Sequence, residues 1–87
     1  MSDDSLIEYP CDFPIKIMGV RSDDFARNMV DIVLRHAPDF LAERVEMRAS
    51  SGGAYLSVTC TIRAVSREQL DKLYRELSAH PAVKVVL

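Results

Sequence analysis

The chain has 87 residues, of which 48% are hydrophobic and 28% are charged, and its formal net charge is −2 at pH 7. This length supports one compact domain, and the composition lies far from the low hydrophobicity and high net charge of disordered chains. The two cysteines, Cys11 and Cys60, have no metal-ligand neighbours at close spacing. A small secreted domain would carry more cysteines, so we expect free thiols and a cytoplasmic location.

The first twelve residues form an acidic stretch. They contain four acidic side chains and no lysine or arginine, which is the opposite of a secretory signal. No apolar run approaches the length needed to cross a membrane. We therefore predict a poorly constrained acidic arm over 1–12, a single domain over 13–87, and no association with membranes.

The first predicted strand spans residues 13–20. Phe13, Ile15 and Ile17 alternate with residues of the opposite face, which is the period of two expected for a half-buried strand. Gly19 marks the end of this strand.

A helix is predicted to begin at Ser22, whose hydroxyl can accept a hydrogen bond from the first turn. Asp23 and Asp24 place negative charge at the positive end of the helix dipole. Pro38 prevents continuation, so the helix should end near His36 or Ala37.

The middle of the chain is typical of a β-hairpin. A strand over 43–50 leads into Gly52 and Gly53, which can adopt the backbone angles of a turn. The return strand over 55–64 has the clearest alternation in the chain, with Leu56, Val58, Cys60, Ile62 and Ala64 on one side.

The last two elements are a helix and a short strand. Ser66 and Gln69 have the spacing of a capping box, and the apolar stripe that follows ends before His80 and Pro81. The β-branched run over 83–87 is predicted to be the final strand.

This order predicts a fold of the α+β class, a ferredoxin-like β-α-β-β-α-β domain. Right-handed connections place both helices on one face of a four-stranded antiparallel sheet and leave the other face open. The outer strands, 43–50 and 83–87, would have unpaired edges, and joining equivalent edges in two copies would extend the sheet. A homodimer is therefore a possible assembly.

Candidate catalytic groups are better explained by structure than by chemistry. His36 and His80 lie at helix ends, where an imidazolium complements the helix dipole. Asp23 and Asp24 are adjacent in a helix and point about 100° apart, so they do not share a site. No serine lies in a nucleophile elbow, and no metal-ligand spacing is present. We therefore predict that the chain is not an enzyme and needs no cofactor or metal.

The open sheet face is predicted to be basic. The alternation would place five basic residues on this face with only Glu46 opposing them: Lys16, Arg44, Arg48, Arg63 and Lys84. Clustered positive charge attracts an anionic ligand, RNA or an acidic protein surface, although a charged face that only interacts with solvent explains the same pattern. RNA-binding sheets stack bases on aromatic rings, and this face offers only Tyr55, so nucleic acid is the weaker alternative.

Several runs together resemble the YbeD-like family of small bacterial proteins of unknown function. They are IKIMG at 15–19, RHAP at 35–38, SSGGAYLSVT at 50–59, LYREL at 73–77 and VVL at 85–87. The resemblance covers the chain from about Phe13 onward. It implies a ferredoxin-like fold similar to the ACT regulatory domains, and it brings no catalytic residues with it.

The resemblance also implies where a ligand would bind. ACT domains bind small effectors such as amino acids near the first strand–helix loop and at dimer interfaces. Gly19 and the loop 20–24 occupy the corresponding place here, with Gly19, Val20, Arg21 and Ser22 as the candidate ligand-binding residues. The family is often encoded near lipoate-attachment genes, which hints at regulation. We therefore expect a regulatory or adaptor domain that binds a small-molecule effector or a protein partner through this loop, through the basic face, or through both.

Overall fold

A computed structural model of the chain describes residues 8–87, and the first part of the predicted acidic arm, residues 1–7, lies outside this range. The elements are β1 (Cys11–Val20), α1 (Phe25–His36), a 3-10 turn (Ala42–Arg44), β2 (Glu46–Ala49), β3 (Tyr55–Ala64), α2 (Arg67–Ala79) and β4 (Val83–Val86). This order confirms the predicted β-α-β-β-α-β fold. None of the helices in residues 8–87 is long and apolar enough to cross a membrane.

The four strands form one antiparallel sheet in the order β2-β3-β1-β4. β1 pairs with β3 along its whole length, from Cys11 opposite Ala64 to Val20 opposite Tyr55. β2 and β4 are the outer strands, so each has one edge that no strand within residues 8–87 pairs with. The predicted unpaired edges are confirmed.

The core lies between the helices and one face of the sheet. Ile15 and Ile17 of β1 and Val58 of β3 are fully buried there, against Phe25 and the other apolar residues of the helices. Burial of each such side chain stabilises the fold by about 1.5–3 kcal/mol. The residues that alternate with them form the other face, which we call the open face.

The start of α1 differs from the prediction. The helix begins at Phe25, its N-cap is Asp24, and no side chain caps it, so the prediction that Ser22 begins the helix is wrong. Only the carbonyl of Ser22 takes part, accepting a hydrogen bond from the Phe25 amide at 3.3 Å. The end of α1 at His36 is as predicted.

The capping box at the start of α2 is confirmed and also joins the two helices. Ser66 Oγ accepts a hydrogen bond from the Gln69 amide at 3.0 Å. The Gln69 side chain accepts a bond from the Val65 amide at 2.7 Å and donates one to the His36 carbonyl at 2.8 Å. One side chain therefore satisfies backbone groups at the start of α2 and at the end of α1.

Two strand boundaries differ from the prediction. β1 begins at Cys11, two residues before the predicted start at Phe13. β2 covers only Glu46–Ala49, because the chain before it forms the 3-10 turn that contains Arg44. The hairpin turn is confirmed, and Gly53 adopts the positive φ of 76° that such turns require.

Candidate functional site

The open face carries two shallow depressions where β1, β3 and β2 lie side by side. Lys16, Thr59 and Glu46 form one cross-strand row, and Met18, Ser57 and Arg48 form the next. A depression of about 380 Å³ is lined by Lys16, Glu46, Met47, Arg48, Ser57 and Thr59. A neighbouring one of about 150 Å³ is lined by Lys16, Met18, Arg48, Ala49, Ser50, Tyr55, Leu56 and Ser57. Lys16, Arg48 and Ser57 line both.

Two of the five basic residues predicted on the open face lie outside the regular strand pairing. Arg44 lies in the 3-10 turn and not in β2. Lys84 lies at a bulge, between Val83 and Val85, which pair with consecutive residues of β1. A bulge residue has no partner across the ladder, so strand alternation does not assign it to the open face.

An acidic residue that the prediction assigned to the arm joins this face. Asp12 lies in β1 opposite Arg63, and Asp12 Oδ1 is 4.0 Å from Arg63 Nη1. On the open face of β1, β2 and β3, the cross-strand pairs therefore present Lys16, Arg48 and Arg63 against Asp12 and Glu46, a net charge of +1. The prediction of five basic residues against one acidic residue is wrong.

The first strand–helix loop offers less space than the resemblance implied. A Cβ atom added to Gly19 would lie 2.3 Å from the Ala82 carbonyl oxygen and 2.5 Å from Cε1 of Phe25. The chain itself therefore fills the space beside Gly19. Arg21 and Ser22 are exposed, and the Arg21 amide donates a hydrogen bond to the Ala54 carbonyl at 3.1 Å. Among the loop candidates, Val20 lies on the open face, opposite Tyr55.

A polar cluster between the helices was not predicted. His36 Nε2 lies 2.7 Å from Glu76 Oε1, and Arg35 also forms an ion pair with Glu76. Burial, and then the positive charges of Arg35 and Lys72, lower the pKa of His36 below 6.5. The lowered pKa disfavours the imidazolium that the sequence predicted at this helix end, and the imidazole is hydrogen-bonded to Glu76 across the two helices. The contact joins residues 40 positions apart, which no periodic pattern reveals.

His80 has a structural hydrogen bond. It is the residue that follows α2, and its Nδ1 accepts a hydrogen bond from the Ala82 amide at 3.1 Å. The imidazole thus closes the turn that leads into β4.

A depression of about 310 Å³ between the helices is lined by His80 together with Asn28, Asp31, Ile32, Arg35, Glu76 and Ala79.

Few groups in the structure have the properties of a catalytic centre. Within residues 8–87, no cluster of three His, Cys, Asp or Glu side chains could hold a metal ion. Over the same range, every buried polar side-chain atom has a hydrogen-bond partner. Both cysteines are free thiols, as predicted, and burial raises the pKa of Cys60 to about 11, which disfavours the nucleophilic thiolate.

Comparison with solved structures relates this fold to ACT domains. A solution structure of protein HP0495 from H. pylori superposes with a TM-score of 0.71 at 14% identity, covering 100% of this chain and 94% of that one. The ACT domain of a GTP pyrophosphokinase from Chlorobium tepidum superposes with a TM-score of 0.66 at 17% identity, covering 87% and 84%. At these identities, the likeness establishes the fold alone.

Sequence comparison shows much closer relatives. A UPF0250 protein from Janthinobacterium sp. (strain Marseille) is 60% identical over 84 residues, which are 97% of this chain and 92% of the relative. A UPF0250 protein from Ralstonia nicotianae is 62% identical over 84 residues, covering 97% and 87%. The family model described as "Protein of unknown function (DUF493)" matches residues 4–87. The chain therefore belongs to the DUF493 family, which includes the UPF0250 and YbeD-like proteins.

Proposed function

We propose that this chain is a non-catalytic regulatory module whose open face binds a small molecule that carries a carboxylate and an apolar part. The observation that carries the proposal is the convergence of Lys16 and Arg48 on the same two depressions. The similarity to an ACT domain supports a regulatory role. The established facts on which the proposal builds are the family and the fold.

The depressions contain the groups that such a ligand requires. Lys16 of β1 and Arg48 of β2 lie on either side of β3, and Ser57 and Thr59 of β3 lie between them. Ammonium, guanidinium and hydroxyl groups all donate hydrogen bonds to a carboxylate. Met18 and Tyr55 line the smaller depression and provide apolar surface for the rest of the ligand.

Two alternative sites are less well supported. The space beside Gly19 is filled by Phe25 and the Ala82 carbonyl, so the first loop offers little room for a ligand. RNA would require more positive charge than a net +1, and aromatic side chains on which bases could stack. The cross-strand pairs place only Tyr55 among the aromatic residues on this face.

The test is calorimetric titration of the purified chain with amino acids, short dicarboxylates, lipoate-related acids, nucleotides and a short RNA. We expect a carboxylate to bind with an affinity that falls as salt is added, because salt screens exposed charges. A hydrogen bond to a charged group contributes about 1.5–3 kcal/mol, so Lys16→Gln or Arg48→Gln should each weaken binding at least about tenfold.

The matched control is Arg75→Gln, which removes an exposed cation from α2, on the opposite side of the sheet. This variant should bind the carboxylate like the unmodified chain. The proposal is refuted if no carboxylate binds, or if Lys16→Gln and Arg48→Gln bind as tightly as Arg75→Gln. If RNA binds more tightly than any carboxylate, nucleic acid replaces the small molecule as the proposed ligand.

A further inference from the structure

Of the four strands, β2 is the one that the helices cover least. Met47 pairs with the buried Val58, so its side chain lies on the helix side, yet it is 58% exposed. The helices pack mainly over β1, β3 and β4 and leave β2 beyond their layer. Leu41, which precedes β2, is 49% exposed. Within residues 8–87, β2 therefore combines a backbone edge that no strand pairs with and an exposed apolar side chain, Met47, which favours pairing with another strand.

The backbone of β2 is oriented for such pairing. The Ser50 amide donates to the Tyr55 carbonyl at 2.9 Å, so this pair is bonded across the β2–β3 hairpin. Bonded and non-bonded pairs alternate along an antiparallel ladder, which makes Arg48 and Glu46 the next bonded residues. Met47 and Ala49 must then direct their N–H and C=O groups away from β3, toward the free edge.

We propose that two copies of this chain associate through β2, antiparallel, with Met47 of one copy opposite Met47 of the other. A two-fold axis perpendicular to the sheet keeps both helical layers on the same side. In this register, the outward N–H and C=O of Met47 form two reciprocal hydrogen bonds across the axis. The two Met47 side chains then cover each other on the helix side.

Charge selects this register over its neighbours. With Met47 on the axis, Glu46 lies opposite Arg48 of the second copy, and Arg48 lies opposite Glu46, on the open face. Moving the axis to Arg48 would place two arginines opposite each other, and moving it to Glu46 would do the same with two glutamates. Directly opposed unlike charges stabilise a sheet and like charges destabilise it.

The other edge is less suited to this role. The register of β4 shifts next to Gly19, and Lys84 sits at that irregularity. Bulges and lysines are the features that prevent edge strands from pairing. β2 has no register shift in its pairing with β3. Because only four residues pair, the interface is small, and association should depend on concentration.

The dimer would also extend the candidate ligand site. Glu46, Met47 and Arg48 line the depression of about 380 Å³, which therefore reaches the edge where the copies meet. Glu46 and Arg48 of the second copy would then border the same depression. The dimer does not depend on the proposed ligand, since it follows from the edge geometry of β2.

The first test measures dimerisation by sedimentation equilibrium over a wide range of protein concentration. We expect a reversible monomer–dimer equilibrium, and either Glu46→Arg or Arg48→Glu alone should raise the dissociation constant about tenfold, because each creates two like-charge pairs. The double variant Glu46→Arg/Arg48→Glu should restore the dimer. Arg75→Glu, on α2, makes the same charge change as Arg48→Glu but away from this edge, and should leave the dimer unchanged.

A cross-linking test checks the register, with Cys11→Ser in all variants to remove the partly exposed thiol. Opposed bonded residues have Cα atoms about 5.5 Å apart, which suits a disulfide, so Met47→Cys should form covalent dimers on oxidation. In the same register, the Cα atoms of residue 46 in the two copies lie about 8 Å apart. Glu46→Cys should therefore form no disulfide between the copies.

Three results would overturn the proposal. They are a chain that stays monomeric at every concentration, a dimer indifferent to both charge reversals, and cross-linking of Glu46→Cys in preference to Met47→Cys. If the chain is monomeric, the β2 edge would instead be a site for a strand of another protein. The ligand proposal is tested separately, because Lys16→Gln should impair ligand binding without changing the dimer.

Discussion

Replacing Gly19 with alanine should destabilise the fold strongly, and the reason can be worked out from the distances. The added Cβ would lie 2.3 Å from the Ala82 carbonyl oxygen and 2.5 Å from Cε1 of Phe25. The carbonyl belongs to the backbone and accepts a hydrogen bond from the Val20 amide at 3.0 Å. Phe25 is 1% exposed, so its ring has little room to move away.

The magnitude combines two effects. Forcing extra atoms into a packed site costs about 1–3 kcal/mol, and displacing the Ala82 carbonyl weakens a hydrogen bond that contributes about 1 kcal/mol. We therefore expect Gly19→Ala to lower the free energy of unfolding by about 2–4 kcal/mol. A chain of this length has a total stability of about 4–13 kcal/mol, so the variant should be markedly destabilised.

Urea denaturation followed by circular dichroism measures this effect, and the other glycines serve as controls. At Gly52 an added Cβ meets nothing within 4 Å, so Gly52→Ala should change stability by less than about 1 kcal/mol. Gly53 has φ of 76°, and Gly53→Ala should cost about 1–2 kcal/mol through backbone strain. A midpoint for Gly19→Ala equal to that of Gly52→Ala would refute the packing argument. If Gly19→Ala is unfolded without urea, titration with trimethylamine N-oxide should recover its transition.

Three further predictions concern the helix layer and the thiols. The pKa of His36 is lower in the folded chain than the ordinary 6.5, so its contribution to stability is present above pH 6.5 and is lost as the pH falls through the folded value. Below pH 6.5, the free energy of unfolding of His36→Gln, measured by urea denaturation, should depend less on pH than that of the unmodified chain. Gln69→Ala should lower the free energy of unfolding by about 1–3 kcal/mol, because it removes hydrogen bonds to backbone groups of both helices. Thermal denaturation would test this, and an unchanged melting temperature would contradict it. A thiol reagent should modify Cys11 before Cys60, since Cys60 is buried with a pKa of about 11, and equal rates would contradict this order.

The features that the sequence predicted correctly depend on short-range regularities. The period of two in β3 determined which side chains face the helices, and Ser66 with Gln69 located the start of α2. Each of these signals lies within one element. They were sufficient for the element order, and the rules of strand connection then led to the ferredoxin-like fold.

The errors occurred where a distant contact decides the local structure. α1 begins at Phe25 and not at Ser22, and the Phe25 ring packs beside Gly19 of the preceding strand. Arg44 continues the alternation of β2, but the chain forms a 3-10 turn there. The contact between His36 and Glu76 joins two helices, so no pattern within either helix predicts it.

These errors matter most for the charge of the open face, and therefore for function. Alternation predicts which side of a strand a residue faces, but it does not predict where pairing begins or where a bulge interrupts it. Asp12 joined the face because β1 starts earlier, while Arg44 lies in a turn and Lys84 at a bulge, where strand alternation no longer assigns a face. A face with a net charge of +1 on β1, β2 and β3 attracts polyanions weakly, so the proposed binding there would rely on directed hydrogen bonds from individual side chains. This favours a compact carboxylate held between Lys16 and Arg48 over a nucleic acid attracted by overall charge.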